Sequence, residues 1–116
     1  MAFLQYSLNA QSAAADANGT KITLSDNLSI ANAGVQVIAS GLDQTNGTVK
    51  IQHSNDDGTN WGYVQDPSTG TDFVINLTSN TSFYGILANI GFKNYRAVLN
   101  HGTNTTGKVT VIINFN

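Results

Sequence analysis

Val49-Lys50-Ile51-Gln52-His53 runs straight into Ser54-Asn55-Asp56-Asp57-Gly58-Thr59-Asn60-Trp61, and the reading of this stretch decides the fold. The first five residues alternate apolar and polar, the two-residue period of a half-buried strand. The next seven are turn formers, and the chain's only tryptophan closes them. Together they predict the tip of a β-hairpin whose return strand starts on a large aromatic anchor.

Upstream, Gly34 to Ser40 sets Val35, Val37 and Ala39 against Gln36, Ile38 and Ser40. The apolar Ile38 on the polar side predicts an interior strand covered in part on both faces. Asn46-Gly47 supplies a positive-φ pair of the kind a primed turn needs. Nearer the start, Ala2 to Leu8 predicts a strand with Leu4, Tyr6 and Leu8 on one face and Phe3, Gln5 and Ser7 on the other. Asn9 to Thr20 is a small-residue loop or linker, too poor in apolar residues to hold a helix. A terminal strand on such a tether could pair with a neighbouring subunit, although pairing in its own sheet is the commoner outcome. Ile22 and Leu24, then Leu28 and Ile30, mark two short β-prone pieces divided by Asp26-Asn27.

Downstream, Trp61 to Gln65 returns, and Asp66-Pro67-Ser68-Thr69-Gly70 turns at the only proline. Asp72 to Leu77 points Phe73, Ile75 and Leu77 inward. Ser82 to Ile90 is the most apolar stretch; Phe83, Ile86, Leu87 and Ile90 also have helical spacing, but Gly85 and Gly91 weaken a helix and strand is the reading. Lys93 to Asn100 alternates with Tyr95, Ala97 and Leu99 on one side, His101 to Gly107 reads as a hairpin loop, and Lys108 to Phe115 is the last strand.

About eight short strands joined by frequent turns, with no convincing helix, predict an all-β chain folded as a single β-sandwich. The strand count favours a jelly roll, with an immunoglobulin-like sandwich as the alternative. Residues 1–116 form one domain, in which 1–20 is a terminal strand plus linker.

Composition narrows the function. The charged fraction is 10%, the net charge is −2, and all seven acidic residues are aspartates. Five scattered basic residues give no electrostatic footprint for nucleic acid. No apolar run is long enough for a membrane helix, and Met1 to Gln5 lacks the charged start of a secretory signal, so synthesis in the cytoplasm is expected. The absence of cysteine removes disulfides, zinc knuckles and thiol catalysis. Six Asn-X-Ser/Thr triplets, at Asn18, Asn27, Asn46, Asn76, Asn80 and Asn104, are what a turn-rich chain of this composition produces and are not read as glycosylation sites.

Ser54-x-Asp56-x-Gly58-x-x-Trp61 resembles the Asp-box hairpin, Ser-x-Asp-x-Gly-x-Thr-Trp, with Asn60 in place of the threonine. The resemblance implies that Ser54 and Asp56 brace the turn, Gly58 takes a conformation side chains resist, and Trp61 packs beneath. Turn chemistry gives the same roles independently, since such side chains bond backbone N–H groups and Gly tolerates positive φ. One copy cannot make a propeller, which needs repeats. More broadly, Gly47 to Gln52 running into Ser54 to Trp61 resembles the small β-sandwich proteins of tailed-phage virions. That resemblance implies a capsid decoration, head-fibre or tail-associated subunit, usually a symmetric homo-oligomer such as a trimer, that binds other virion proteins such as the major capsid protein.

Chemistry finds little to use. Only His53 and His101 could act as near-neutral bases, no nucleophile motif flanks either, and seven turn aspartates make poor paired carboxylates. Calcium would want six to eight oxygens, and the loop aspartates are better read as turn braces. No catalytic residue, metal site or cofactor is expected. Tyr63, Tyr84 and Tyr95 are candidate ligand-stacking residues for a surface glycan, which makes a carbohydrate-binding or adhesin module the alternative to a virion structural protein.

Overall fold

The computed structural model describes residues 3–25, 30–88 and 90–116, so Met1, Ala2 and the expected piece around Asp26, Asn27 and Leu28 lie outside the described residues. Within them the chain forms β1 (Phe3–Ser12), β2 (Ala17–Asn18), β3 (Ile22–Thr23), β4 (Asn32–Ser40), β5 (Thr48–Ser54) and β6 (Gly62–Tyr63). There follow β7 (Gln65–Asp66), β8 (Thr71–Asp72), β9 (Val74–Asn76), β10 (Ser82–Ala88), β11 (Asn94–Asn100) and β12 (Lys108–Phe115).

One sheet has four strands in the order β1-β12-β4-β10. The other runs β2-β11-β5-β6, with β3 also paired to β11 and β9 also paired to β5, and β7-β8 form a small separate hairpin. Because β2 and β3 share one strand position, as do β6 and β9, the two main sheets hold eight positions. First pairs with last (β1–β12), second with seventh (β2 and β3 with β11), third with sixth (β4–β10) and fourth with fifth (β5 with β6 and β9), all antiparallel. The chain is thus one long doubled ribbon. Rolling the ribbon adds the pairs β12–β4 and β11–β5 and lays two sheets face to face, which is a jelly roll. An immunoglobulin-like sandwich would pair its first two strands in one sheet; here β1 and β2 lie in different sheets.

Alternation built the core. Val35 and Val37, Val49 and Ile51, Ala97 and Leu99, and Val109 through Phe115 at every second place are buried between the sheets. The segment from Ser82, whose spacing also suited a helix, is strand β10, in unbroken register with β4 from Ser82↔Ile38 to Ala88↔Asn32.

Several local expectations differ. Positive φ falls on Thr45 and Gly47 and not on an Asn46-Gly47 pair, because this link crosses from β4 in one sheet to β5 in the other and closes no hairpin. The 101–107 loop likewise crosses sheets instead of joining a hairpin. The two crossings are knitted together: the buried Asn104 amide donates to the carbonyls of Asn46 (2.8 Å) and His101 (2.9 Å), and its Oδ1 accepts from Gln44 N (3.0 Å). Asp43 accepts from Thr105 N and Oγ1, at 2.8 and 2.6 Å. At the other terminus, β1 runs on to Ser12 and pairs with β12 of its own chain. Ala13, expected in a linker, is fully buried.

The first strand also turns over. Leu4 and Tyr6 are about half exposed, whereas Ser7 and Leu8 are both buried, because register shifts at Tyr6/Leu8 and Leu8/Gln11 make bulges that re-aim the side chains.

Candidate functional site

The turn from Ser54 to Trp61 is braced from within. Ser54 Oγ donates to Asp56 Oδ1 at 2.6 Å and accepts from the backbone N–H of Asp56 and of Gly58, both at 3.2 Å. Asp56 Oδ1 also accepts from Asn60 N (2.9 Å) and its Oδ2 from Asn60 Nδ2 (2.7 Å). These bonds, the Ser54 hydroxyl first, push the Asp56 carboxyl down to about 2. Gly58 has φ +84°, and a Cβ there would stand 3.0 Å from Trp61 Cζ2. Asp57 is tied outward by Lys21 Nζ, which reaches its Oδ1 at 2.9 Å and its carbonyl at 3.1 Å. The carboxylates here are spent on the turn and its neighbour Lys21, and among the described residues no group of three His, Cys, Asp or Glu could hold a metal ion.

Trp61 is half-buried and outside the core. The pairing Gln52↔Tyr63 sets Trp61 and Tyr63 on the outer face of the six-stranded sheet, while Val64 takes the inward place. The indole lies under the Arg96 guanidinium, 4.3 Å from its centroid, and Arg96 Nε donates to Gln52 Oε1 at 2.8 Å. Beside it Lys50 bridges to Asp72 at 3.0 Å and sits 5.0 Å over the Tyr63 ring. This outer face is charged and cross-linked.

The three tyrosines do not form a platform. Tyr63 is on the six-stranded sheet and Tyr84, 74% exposed, is on the outer face of the four-stranded sheet. Tyr95 cannot stack on any ligand. It is buried in register with Ala97 and Leu99, packs 5.4 Å from the Phe115 ring, and its hydroxyl accepts from Phe92 N at 3.3 Å. Burial raises its pKa.

The histidines stand at opposite ends of the β5–β11 pair. The His53 ring stacks on Phe92 at 3.7 Å, and burial lowers its pKa. His101 Nδ1 lies 2.6 Å from Asp16 Oδ1, which also accepts from the His101 backbone N–H at 3.0 Å.

The feature that sequence reasoning missed is the outer face of the four-stranded sheet. Register sets Tyr6, Ile112, Gln36 and Tyr84 in one row across it, and Leu4, Asn114, Gly34 and Ile86 in the next. Lys108, at one end of β12, is the only charged residue in its four strands. Nothing lies within 4 Å of a Cβ built on Gly34, which opens a shallow hollow of about 330 Å³ lined by Leu4, Tyr84, Ile86 and Asn114. Asn114 Oδ1 is buried there without a hydrogen-bond partner among the described residues. The apolar residues on both parities of β4, β10 and β12 were the available signal, and Ile38 alone was read that way.

No family model matches the chain, and no curated protein matches it in sequence. Among solved structures, the SPBc2 prophage-derived protein YomS matches with a TM-score of 0.61 over 99% of this chain and 94% of that one, at 12% identity. That likeness shows a shared fold. The infectious bursal disease virus Gx strain structure matches at a TM-score of 0.29, with 15% identity, over 100% of this chain and 40% of that one, a score too low to carry an argument.

Proposed function

We propose that the chain is a non-enzymatic structural protein of a phage particle, a capsid decoration, head-fibre or tail-associated subunit that self-associates and binds a major capsid protein. The observation that carries this reading is the outer face of the four-stranded sheet, on which Lys108 at one end is the only charge. Leu4, Tyr6, Ile38, Tyr84 and Ile86 are exposed on it together, and contiguous apolar surface of this kind marks a place where another macromolecule sits. The opposite face, with its ion pair and cation–π contacts, has the character of a solvated surface. A jelly roll hosts many functions, so the fold alone would not carry the reading. The shared fold with a prophage-derived protein supports the phage setting.

The test is cosedimentation of the purified chain with capsids of the phage that encodes it, together with mass spectrometry of intact virions. The expected result is saturable binding at a fixed number of copies per capsomer and presence in the particle. Capsids that pellet without the chain at every concentration, and virions that lack it, would sink the proposal.

A further inference from the structure

The sandwich has four lateral edges, and three of them are blunted against pairing. Strand β1 carries two register shifts against β12. Strands β2 and β3 have two residues each, and β6 and β9, two and three residues long, are split by the hairpin that holds Pro67. Short, bulged or proline-bearing edges are how folded proteins keep strands from pairing with strangers. Strand β10 has none of these guards. It is seven residues long, pairs with β4 without a break, and contains neither a charge nor a proline. On its other side it pairs with no strand among the described residues.

We propose that β10 pairs antiparallel with β10 of a second copy, about a two-fold axis at Gly85, joining two four-stranded sheets into one continuous sheet. The inference rests on the self-association in the proposed function and names its surface. Self-complementarity singles out a second copy as the partner. Gly85 is the middle residue of β10, so an axis there uses the whole strand, from Ser82 opposite Ala88 to Ala88 opposite Ser82. It sets Tyr84 opposite Ile86 on the outer face, an aromatic against a β-branched side chain, which is a favourable cross-strand pair. On the inner side Phe83 meets Leu87. The two-fold axis sets β10 against the same strand of the second copy, and with no charge on β10 no like charges meet. The Tyr84 hydroxyl, accepting from Gln36 Nε2 at 3.2 Å, helps to hold the ring over the sheet. The joined sheets also make one outer face from two, with a single charge, Lys108, on each half. Edge pairing buries less than a standard interface, so the dimer is expected to be concentration-dependent.

Sedimentation equilibrium of the full chain from micromolar to millimolar concentration tests this, with Y84K/I86K and L4K/Y6K compared to the wild type. Tyr84 and Ile86 are 74% and 72% exposed, so Y84K/I86K folds normally by expectation, and unchanged melting at low concentration checks it. Leu4 and Tyr6 point outward on β1, at the far edge of the same sheet. The expected result is a wild-type dimer whose dissociation constant rises about tenfold or more in Y84K/I86K and changes little in L4K/Y6K. Should the double variant melt early, Tyr84→Lys alone gives the same comparison. A strictly monomeric wild type overturns both this inference and the self-association in the proposed function. An oligomer equally tight in Y84K/I86K, one weakened equally by L4K/Y6K, or a trimer overturns the β10 edge alone and leaves that function standing.

Discussion

The hydroxyl of Ser7 accepts a hydrogen bond from the backbone N–H of Ala97 at 2.8 Å, tying β1 of the four-stranded sheet to β11 of the other. It fills a gap. Strand β2 pairs with Val98 and Leu99, and β3 with Asn94 and Tyr95, so the chain between them leaves the Ala97 N–H without a strand partner. The same hydroxyl donates to the Thr20 carbonyl at 3.1 Å. Ser7→Ala removes the acceptor and strands a buried N–H, so the variant is expected to lose about 1–3 kcal/mol in urea denaturation. A loss below about 0.5 kcal/mol would mean that Ala97 finds another acceptor.

Ser7 also shows where the sequence stops being legible. Alternation through Leu4, Tyr6 and Leu8 placed Ser7 on the solvent side, and a bulge moved it inside. A bulge inserts one residue by virtue of what the partner strand does, and the strand's own pattern holds no trace of that. Where strands pair without interruption, as β4 does with β10 and β5 with β11, the period of two identified the inward residues directly. The strand count favoured a jelly roll but left the strand order open, because order is set by which distant strands pair. Trp61 was legible as the anchor beneath its turn but not by sheet face: the register at Gln52↔Tyr63 turns it to the outer face, where Arg96 covers it.

Gly58→Val tests the turn. With φ +84° and Trp61 Cζ2 3.0 Å from a Cβ, the substitution meets both a resisted backbone conformation and the indole. The expected cost is about 1–3 kcal/mol, read as a lower urea midpoint. The proposed capsid binding, assayed at saturating concentration well below that midpoint, should survive, because the turn lies on the other sheet from the proposed binding face. A variant that melts normally and loses binding would make the turn a site.

Acid should destabilise the protein over two pH windows. Burial lowers the pKa of His53 below 6.5, so the native state binds fewer protons there than the unfolded chain, and stability falls as pH drops through about 6.5. Asp16, Asp43, Asp56, Asp57, Asp66 and Asp72 are all held below the usual carboxylate value by hydrogen bonds, so their contribution is complete above about pH 5 and is lost as pH falls further. For Asp56 the window runs from 3.8 to about 2. Melting temperature measured against pH should show the upper shoulder vanish in His53→Phe and the lower slope flatten in Asp56→Asn. A wild-type curve that is flat through both windows would refute this.

Tyr95 is where the candidate site and the core competed for one residue. Its place in the alternation with Ala97 and Leu99 already pointed inward, and that pattern outweighs the general tendency of tyrosines to bind ligands. Tyr95→Phe keeps the ring between His53 and Phe115 but deletes the acceptor for Phe92 N, and is expected to cost about 1 kcal/mol. Tyr95→Ala empties the space and should cost about 3–5 kcal/mol. Because burial raises the Tyr95 pKa above 10.0, the native state keeps a proton that the unfolded chain releases, so this group's stabilising contribution fades as pH climbs past 10. An alkaline absorbance titration should therefore show a late phenol in the wild type that is missing from Tyr95→Phe. If that phenol titrated at its ordinary value, Tyr95 would have to be solvent-accessible and a stacking role would again be open to it.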